Sequence, residues 1–364
     1  MLLQCMKASA IYGTIIRYVM TAVIAIVAAM PSAAQEGNRH DDSISDLIIE
    51  GLKGTESFIE NILDSKDSVY ISPNLYNMTI MPQYSYCYDY YRFSSVDSEQ
   101  SITLSPGSSH KIGMYIGWRW IFLGYCFDVS SNRPLSDFNF SFYTSAIGID
   151  LFYRKRDNGY RIRRLNGFYE NGKDELQSYN HRFNGLTVEQ NGANLYYIFN
   201  NDKFSYPAAY SQSTNQRISA GSFILGLSYN EQSFFFDTEK FDTPIREQLD
   251  EELKFENVKY KDFSINFGYS YNWVFAKDCV ANISMTPAIG YKNTSLKLHD
   301  SKEFLASINF DLITRAAIVY NNSKYYAGAS LVSHSYSYIR NSLSILNGFG
   351  VVNVYFGVNF WRRK

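Results

Sequence analysis

The chain has 364 residues, with 34 Lys plus Arg against 35 Asp plus Glu, and 46% of it is hydrophobic. Such a length suits two soluble domains or one large all-β domain, and the near-neutral charge argues against a nucleic-acid partner, which needs a concentrated basic surface. Mean hydropathy is slightly negative, which excludes a polytopic helical membrane protein.

The first 34 residues carry only two charges, Lys7 and Arg17, ahead of an apolar run from Tyr18 to Met30 and the small residues Ser32, Ala33 and Ala34. A basic start, a short apolar run and small residues at the cut predict a secretory signal peptide over 1–34. The run is short for a membrane span, which takes roughly 20 apolar residues. Behind it, Cys87, Cys126 and Cys279 are too few and too widely spaced for a disulfide scaffold, and no Cys/His cluster suggests zinc. Residues 35–68 are expected to form a short periplasmic amphipathic helix and linker. Ile44, Leu47, Ile48, Leu52, Phe58, Ile59, Ile62 and Leu63 recur there at three- and four-residue spacing among acidic residues.

From Tyr70 onward the period becomes two. Aromatic residues make up 17% of the chain (31 Tyr, 26 Phe and 4 Trp) against 8 Pro, a balance that favours many strands. A strand sends alternate side chains to opposite faces, so a change in the parity of its apolar set marks a turn. Ile112, Met114 and Ile116 are even, whereas Ile121, Leu123, Tyr125 and Phe127 are odd; Phe138, Phe140 and Phe142 are even, whereas Ile147, Ile149, Leu151 and Tyr153 are odd. Later, Phe263, Ile265, Phe267, Tyr269, Tyr271 and Trp273 share one face against Ser264, Asn266, Gly268, Ser270 and Asn272.

Extended along the chain, this pattern predicts about twelve strands. They fall near 75–92, 108–116, 119–128, 136–143, 146–154, 195–210, 217–229, 261–275, 280–291, 303–320, 324–336 and 350–361. Short connections (117–118, 144–145, 211–216, 276–279, 321–323) alternate with long ones (93–107, 129–135, 155–194, 230–260, 292–302, 337–349). One face is apolar and aromatic while the other is Gly, Ser, Asn and Thr, and Trp118, Trp120, Trp273 and Trp361 all stand beside short turns or the C-terminus. The expected fold is therefore all-β: residues 69–364 as an antiparallel up-and-down transmembrane β-barrel, with its tryptophans at one interface. Lipid offers no hydrogen-bond partners, so such a sheet must close on itself.

Several stretches resemble a family of uncharacterised outer-membrane β-barrel proteins from Bacteroidetes: Tyr70–Asn77, Lys111–Val129, Tyr197–Asn200 and above all Phe204–Ser222 (FSYPAAYSQSTNQRISAGS). The resemblance implies the outer membrane of a Gram-negative bacterium. It carries no established activity and hence no catalytic residue.

Asp89, Asp128, Asp150, Asp311 and Arg315 share the inward parity of their strands, and His334 joins them. They are the luminal candidates, either a bracing salt-bridge network or a charged ring that selects solutes. Asp311 and Arg315 stand about 13 Å apart along one strand, so each needs a partner on a neighbour. Ser333 and Ser335 adjoin His334 but point to the opposite face, so a catalytic His334 needs a serine from another strand. Arg154, Lys155, Arg156, Arg161, Arg163 and Arg164 cluster in the expected 155–194 loop and at its start, and are candidates for gripping lipopolysaccharide phosphates. Gln216 and Arg217 lie by a short turn, near the expected periplasmic mouth.

No dinucleotide, P-loop, zinc-protease or esterase motif occurs, so neither cofactor nor metal is expected. The expected partners are outer-membrane lipid, lipopolysaccharide, the barrel assembly machinery and a periplasmic protein. Small inward residues (Gly268, Gly290, Gly328, Gly357) suggest room for a solute pore or binding channel. The alternatives are a non-enzymatic structural or assembly barrel, a lipid-modifying enzyme, and a soluble exported β protein.

Overall fold

The computed structural model describes residues 67–118, 121–129, 136–170, 173–174, 181–298, 302–340 and 342–362. The expected signal segment 1–34 and the helix over 44–63 lie outside the described residues, as do His40, Trp120 and His299. Among the described residues, nineteen strands follow one another. The first eleven are β1 (Ile71–Pro73), β2 (Tyr76–Ser95), β3 (Ser101–Pro106), β4 (Ser109–Trp118), β5 (Ile121–Asp128), β6 (Ser136–Tyr143), β7 (Ile147–Asp157), β8 (Tyr160–Asn166), β9 (Tyr169–Glu170), β10 (Lys173–Asp174) and β11 (Arg182–Phe183). After them come β12 (Leu186–Ile198), β13 (Thr214–Gln216), β14 (Ala220–Phe236), β15 (Phe255–Ala276), β16 (Cys279–Leu298), β17 (Lys302–Asn321), β18 (Tyr325–Arg340) and β19 (Leu343–Arg362). Among the described residues two short α-helices interrupt them, α1 (Tyr206–Tyr210) and α2 (Thr243–Gln248).

The main sheet runs β5–β4–β2–β19–β18–β17–β16–β15–β14–β12–β7–β6, and every pairing in it is antiparallel. A branch, β2–β3–β8–β11, leaves its upper end: β2 pairs with β4 from Met78 to Cys87 and with β3 from Tyr91 to Ser94. The sheet curls until strands far apart in this order meet. Arg154 of β7 reaches Asp89 of β2, and Tyr260 of β15 reaches Asn347 of β19. β5 and β6 are the ends of the path, and among the described residues no pairing joins them.

Alternation decides which face is which. Phe263, Ile265 and Phe267 are 63%, 60% and 53% exposed, whereas the intervening Asp262, Ser264 and Asn266 are buried. The apolar set thus points outward and the polar set inward, the reverse of a water-soluble barrel. Trp273 and Trp361 are also exposed, close to the short 277–278 turn and the C-terminal end of β19, and Trp118 closes β4 at the same end of the sheet. At the opposite end the exterior becomes charged. Lys259 lies 2.6 Å from Glu231 and Lys155 lies 3.8 Å from Glu189.

Several connections expected as long loops are continued strands. The 155–194 stretch begins with the end of β7, kinks at Asn158 and Gly159, both at positive φ, and runs on as β8, whose pairing with β11 continues the β7–β12 ladder. Asn and Gly suit such a kink, because both adopt the left-handed region readily. The 230–260 stretch holds the end of β14, α2 and the start of β15, and the 337–349 stretch is mostly β18 and β19. Conversely, the strand expected over 195–210 stops at Ile198, and Tyr206–Tyr210 is helical. Pro207 cannot donate to a strand ladder but suits a first helical turn, and Ser205 caps that turn through its hydroxyl.

Candidate functional site: a filled interior

The sequence between β12 and β14 folds inward rather than across the mouth. Ser205 lies against Asn272, whose amide donates to the Ser205 carbonyl at 2.8 Å and to the Gln216 side chain at 3.0 Å. Tyr210 donates to Asn282 at 2.6 Å, Gln212 to Tyr355 at 2.8 Å, and Asn321 to the Gln212 carbonyl at 3.3 Å. β13 pairs with β1, which ties this inserted segment to the start of the sheet. Side chains of β15, β16, β17 and β19 therefore hold one short plug. Ala208, Asn215, Gln216 and Arg217 of the plug, with Lys277 and Asn321, line a cavity of about 240 Å³ at this mouth.

Above the plug lies a charged layer that takes in most of the expected luminal residues. Arg315 pairs with Asp150 across the interior, donates to the Tyr206 hydroxyl at 2.9 Å, and lies over the Tyr196 ring. Asp150 also accepts from Ser141 at 2.7 Å and from Tyr143 at 3.0 Å. Asp89 pairs with Arg154 at 2.7 Å and with Arg156 at 3.7 Å. Asp311 takes Lys292 of the adjacent strand at 2.8 Å, and Lys292 donates also to the Ser337 carbonyl. Asp128 stands opposite Lys111 in the β4–β5 register and accepts from Ser109 at 2.6 Å.

The ring of His334 stacks on Phe349 at 4.8 Å between centroids, and its Nδ1 faces the Tyr336 hydroxyl. Ser333 and Ser335 turn outward, where Tyr88 and Tyr90 donate to them. His334 is thus a packed interior residue beside Phe152 and Phe349.

Arg154 and Arg156 do not belong with the surface cations. β7 continues to Asp157 without a break in parity, so both face the interior and pair with Asp89. Lys155 faces out beside Glu189, and Arg161, Arg163 and Arg164 stand on β8.

Sequence reading did not find Lys292, Asp262, Gln190, Gln232 and Asn347. Gln190 donates to Gln232 at 3.0 Å, and Asn347 donates to Gln232 at 2.9 Å. All five carry the inward parity of their strands; stretches read as loops concealed all but Asp262, which stood at the start of the expected strand 261–275. Nor do the inward glycines leave a channel: a methyl group at Gly357 would strike the Tyr326 ring, and one at Gly290 would strike the Asp262 carboxyl.

Asp262 adds a second carboxyl beside the Lys292–Asp311 pair. Its Oδ1 and the Oδ2 of Asp311 are buried without a hydrogen-bond donor. An amide at 262 supplies that donor and removes an uncompensated charge. Asp262→Asn is accordingly expected to leave stability unchanged or raise it by about 1 kcal/mol. A lowered midpoint in urea titration of the micelle-bound protein would contradict this.

The third level closes the far end. Tyr91, Phe93, Tyr160, Phe183, Phe234, Phe236, Phe241 and Phe255 pack with aliphatic side chains from β3, β8, β12 and α2 into one apolar cluster. Plug, charged layer and aromatic cap succeed one another along the interior.

An antiparallel sheet with an apolar exterior and a filled polar interior is the class of molecule these features define. The chain belongs to the family of a domain of unknown function (DUF4421), whose profile matches residues 65–360. No curated protein matches it. Among solved structures, the chain is similar to the outer membrane protease OmpT from Escherichia coli, with 9% identity over 81% of this chain and 99% of that one and a TM-score of 0.39. It is also similar to the translocator domain of the autotransporter NalP from Neisseria meningitidis (7% identity, 87% and 98% covered, TM-score 0.34). A third is the outer membrane protein OprG from Pseudomonas aeruginosa (12% identity, 79% and 98% covered, TM-score 0.25).

Proposed function

We propose that this chain is an outer-membrane β-barrel of a Gram-negative bacterium that does not conduct, and that its role is structural or in assembly rather than that of a solute pore. In this reading β5 pairs with β6 to close a barrel of about twelve strands. The plugged mouth faces the periplasm, where a partner protein meets it.

The observation that carries the reading is the filled interior. A pore needs a continuous aqueous path. Here α1, the Arg315–Asp150 layer and the Phe236 cluster occupy successive levels. Purified protein in planar bilayers is expected to give no unit conductance; regular current steps would overturn the reading. The outward apolar belt supports the membrane location, since soluble monomers rarely expose so large an apolar surface. Phe267 lies midway along that belt. Phe267→Arg is expected to cost about 2–4 kcal/mol in a bilayer, because lipid cannot solvate the guanidinium. On a water-facing surface the same change is nearly neutral, so an unchanged unfolding midpoint in vesicles would remove the membrane assignment.

A further inference from the structure

The branch sheet β2–β3–β8–β11 buries one face and shows the other. Tyr91, Phe93, Ile102, Leu104, Ile162 and Phe183 go into the aromatic cap. The opposite face carries Arg92, Arg161, Arg163, Arg164 and Arg182, of which all but the half-buried Arg161 are exposed.

Register brings these arginines together. Arg161 stands directly opposite Arg182, and Thr103 lies between Arg92 and Arg164 in adjacent rows. The pairing of β3 with β8 shifts by one residue between Thr103 and Leu104. Arg163 is the extra residue of that bulge, so Arg163 and Arg164 both emerge on the outer face. Re-aiming a side chain in this way is what a bulge does. Ser105 accepts from Arg163 at 2.8 Å and Ser101 from Arg92 at 3.3 Å, which orients two of the guanidinium groups. β3, β8 and β11 contain neither Asp nor Glu.

Like charges placed opposite each other across strands destabilise a sheet. A face built this way gains most when clustered anions bridge its guanidinium groups, which bind phosphate oxygens in pairs. The height of the face says which anion. Arg92 is two residues beyond Tyr90 on the outward side of β2, about 7 Å further along the strand. It follows the same row as Tyr84, Tyr86, Tyr88 and Tyr90, so it stands where the hydrocarbon of the outer leaflet gives way to headgroups.

We infer that this arginine face is a binding site for the phosphorylated sugar headgroup of lipid A, the lipid portion of lipopolysaccharide. The inference rests on the outer-membrane reading and adds a ligand to it. It replaces the inward Arg154 and Arg156 of the expected cluster with Arg92 and Arg182.

The test is native mass spectrometry of the full chain in detergent with bisphosphorylated lipid A, monophosphoryl lipid A, fully dephosphorylated lipid A and phosphatidylglycerol. Affinity is expected to fall with each phosphate removed, and phosphatidylglycerol to bind at least about tenfold more weakly than the bisphosphorylated form. Arg92→Gln together with Arg164→Gln and Arg182→Gln should lower bisphosphorylated lipid A binding by at least about tenfold and flatten its salt dependence. Lys259→Gln with Lys261→Gln, on the exterior of β15, should leave it unchanged. Equal binding of all four lipids by the parent protein overturns the site without reference to any variant, as does a folded triple variant of parental affinity. Fractionation keeps the two readings apart. A parent protein absent from the outer membrane ends both, whereas one that is present yet indifferent to phosphate ends this one alone.

Discussion

Arg315→Met is expected to destabilise the protein by about 3–5 kcal/mol, the usual cost of breaking a buried ion pair from one side. The cost comes mainly from what is left behind. Asp150 keeps its hydrogen bonds from Ser141 and Tyr143 but loses its counter-charge in an interior shielded from water. Tyr206 loses its guanidinium donor at the same time, so the plug loosens with the layer above it. Arg315→Lys should recover only part of the loss, because one ammonium cannot serve Asp150 and Tyr206 with the planar geometry of a guanidinium. Adding Asp150→Asn to Arg315→Met should recover more than half, since the amide oxygen still accepts from Ser141 and Tyr143 while the stranded charge is gone. Urea titration of the four proteins in the same micelle measures this cycle. If Arg315→Met unfolds at the parental midpoint, Arg315 is not what joins plug and wall.

The pairing of Arg315 with Asp150 also marks how far the sequence could be read. Parity alone put Asp89, Asp150, Asp311 and Arg315 on one face, because a one-residue slip would turn whole strands inside out. It could not say which acid meets which base. That depends on how far the sheet curls, and Arg315 reaches Asp150 from a strand remote in sheet order. The plug was hidden for a different reason. Tyr206, Ala208 and Tyr210 mimic a two-residue alternation, and the helix-starting role of Pro207 behind Ser205 was the contrary signal. At the other end, the stretch read as a 40-residue loop holds β8, which runs on from β7 past a kink at Asn158 and Gly159. Missing this continuation left Arg154 at the end of its strand and Arg156 outside the sheet, and hid the strand that carries Arg161, Arg163 and Arg164. The inward glycines misled in the opposite sense, since a ring or carboxyl from a neighbouring strand fills each gap at Gly357 and Gly290.

Phe236→Ala should test the cap separately from the membrane-spanning part. The Phe236 ring stacks on Phe255 at 5.0 Å and meets Phe93, Phe183 and Phe241 within 6 Å, so truncation leaves a cavity among four other rings. Truncating a buried phenylalanine costs about 3–5 kcal/mol, and the higher figure applies where neighbours cannot collapse into the space. These rings come from β2, β11, β14, β15 and the segment before α2, where the outward positions include Arg92, Arg182, Glu231 and Lys259 beside the exposed Phe235. The loss should therefore be local. Limited proteolysis of the variant is expected to cut near the Asn158-Gly159 kink at rates far above the parent, while the slower gel migration of heated against unheated sample, which reports the intact barrel, stays as before. Phe236→Leu fills most of the same volume and should cost less than about 1.5 kcal/mol. Equal protease resistance in Phe236→Ala and the parent would mean that the aromatic cluster does not hold the cap. Simultaneous loss of gel mobility would mean that cap and barrel unfold as one unit.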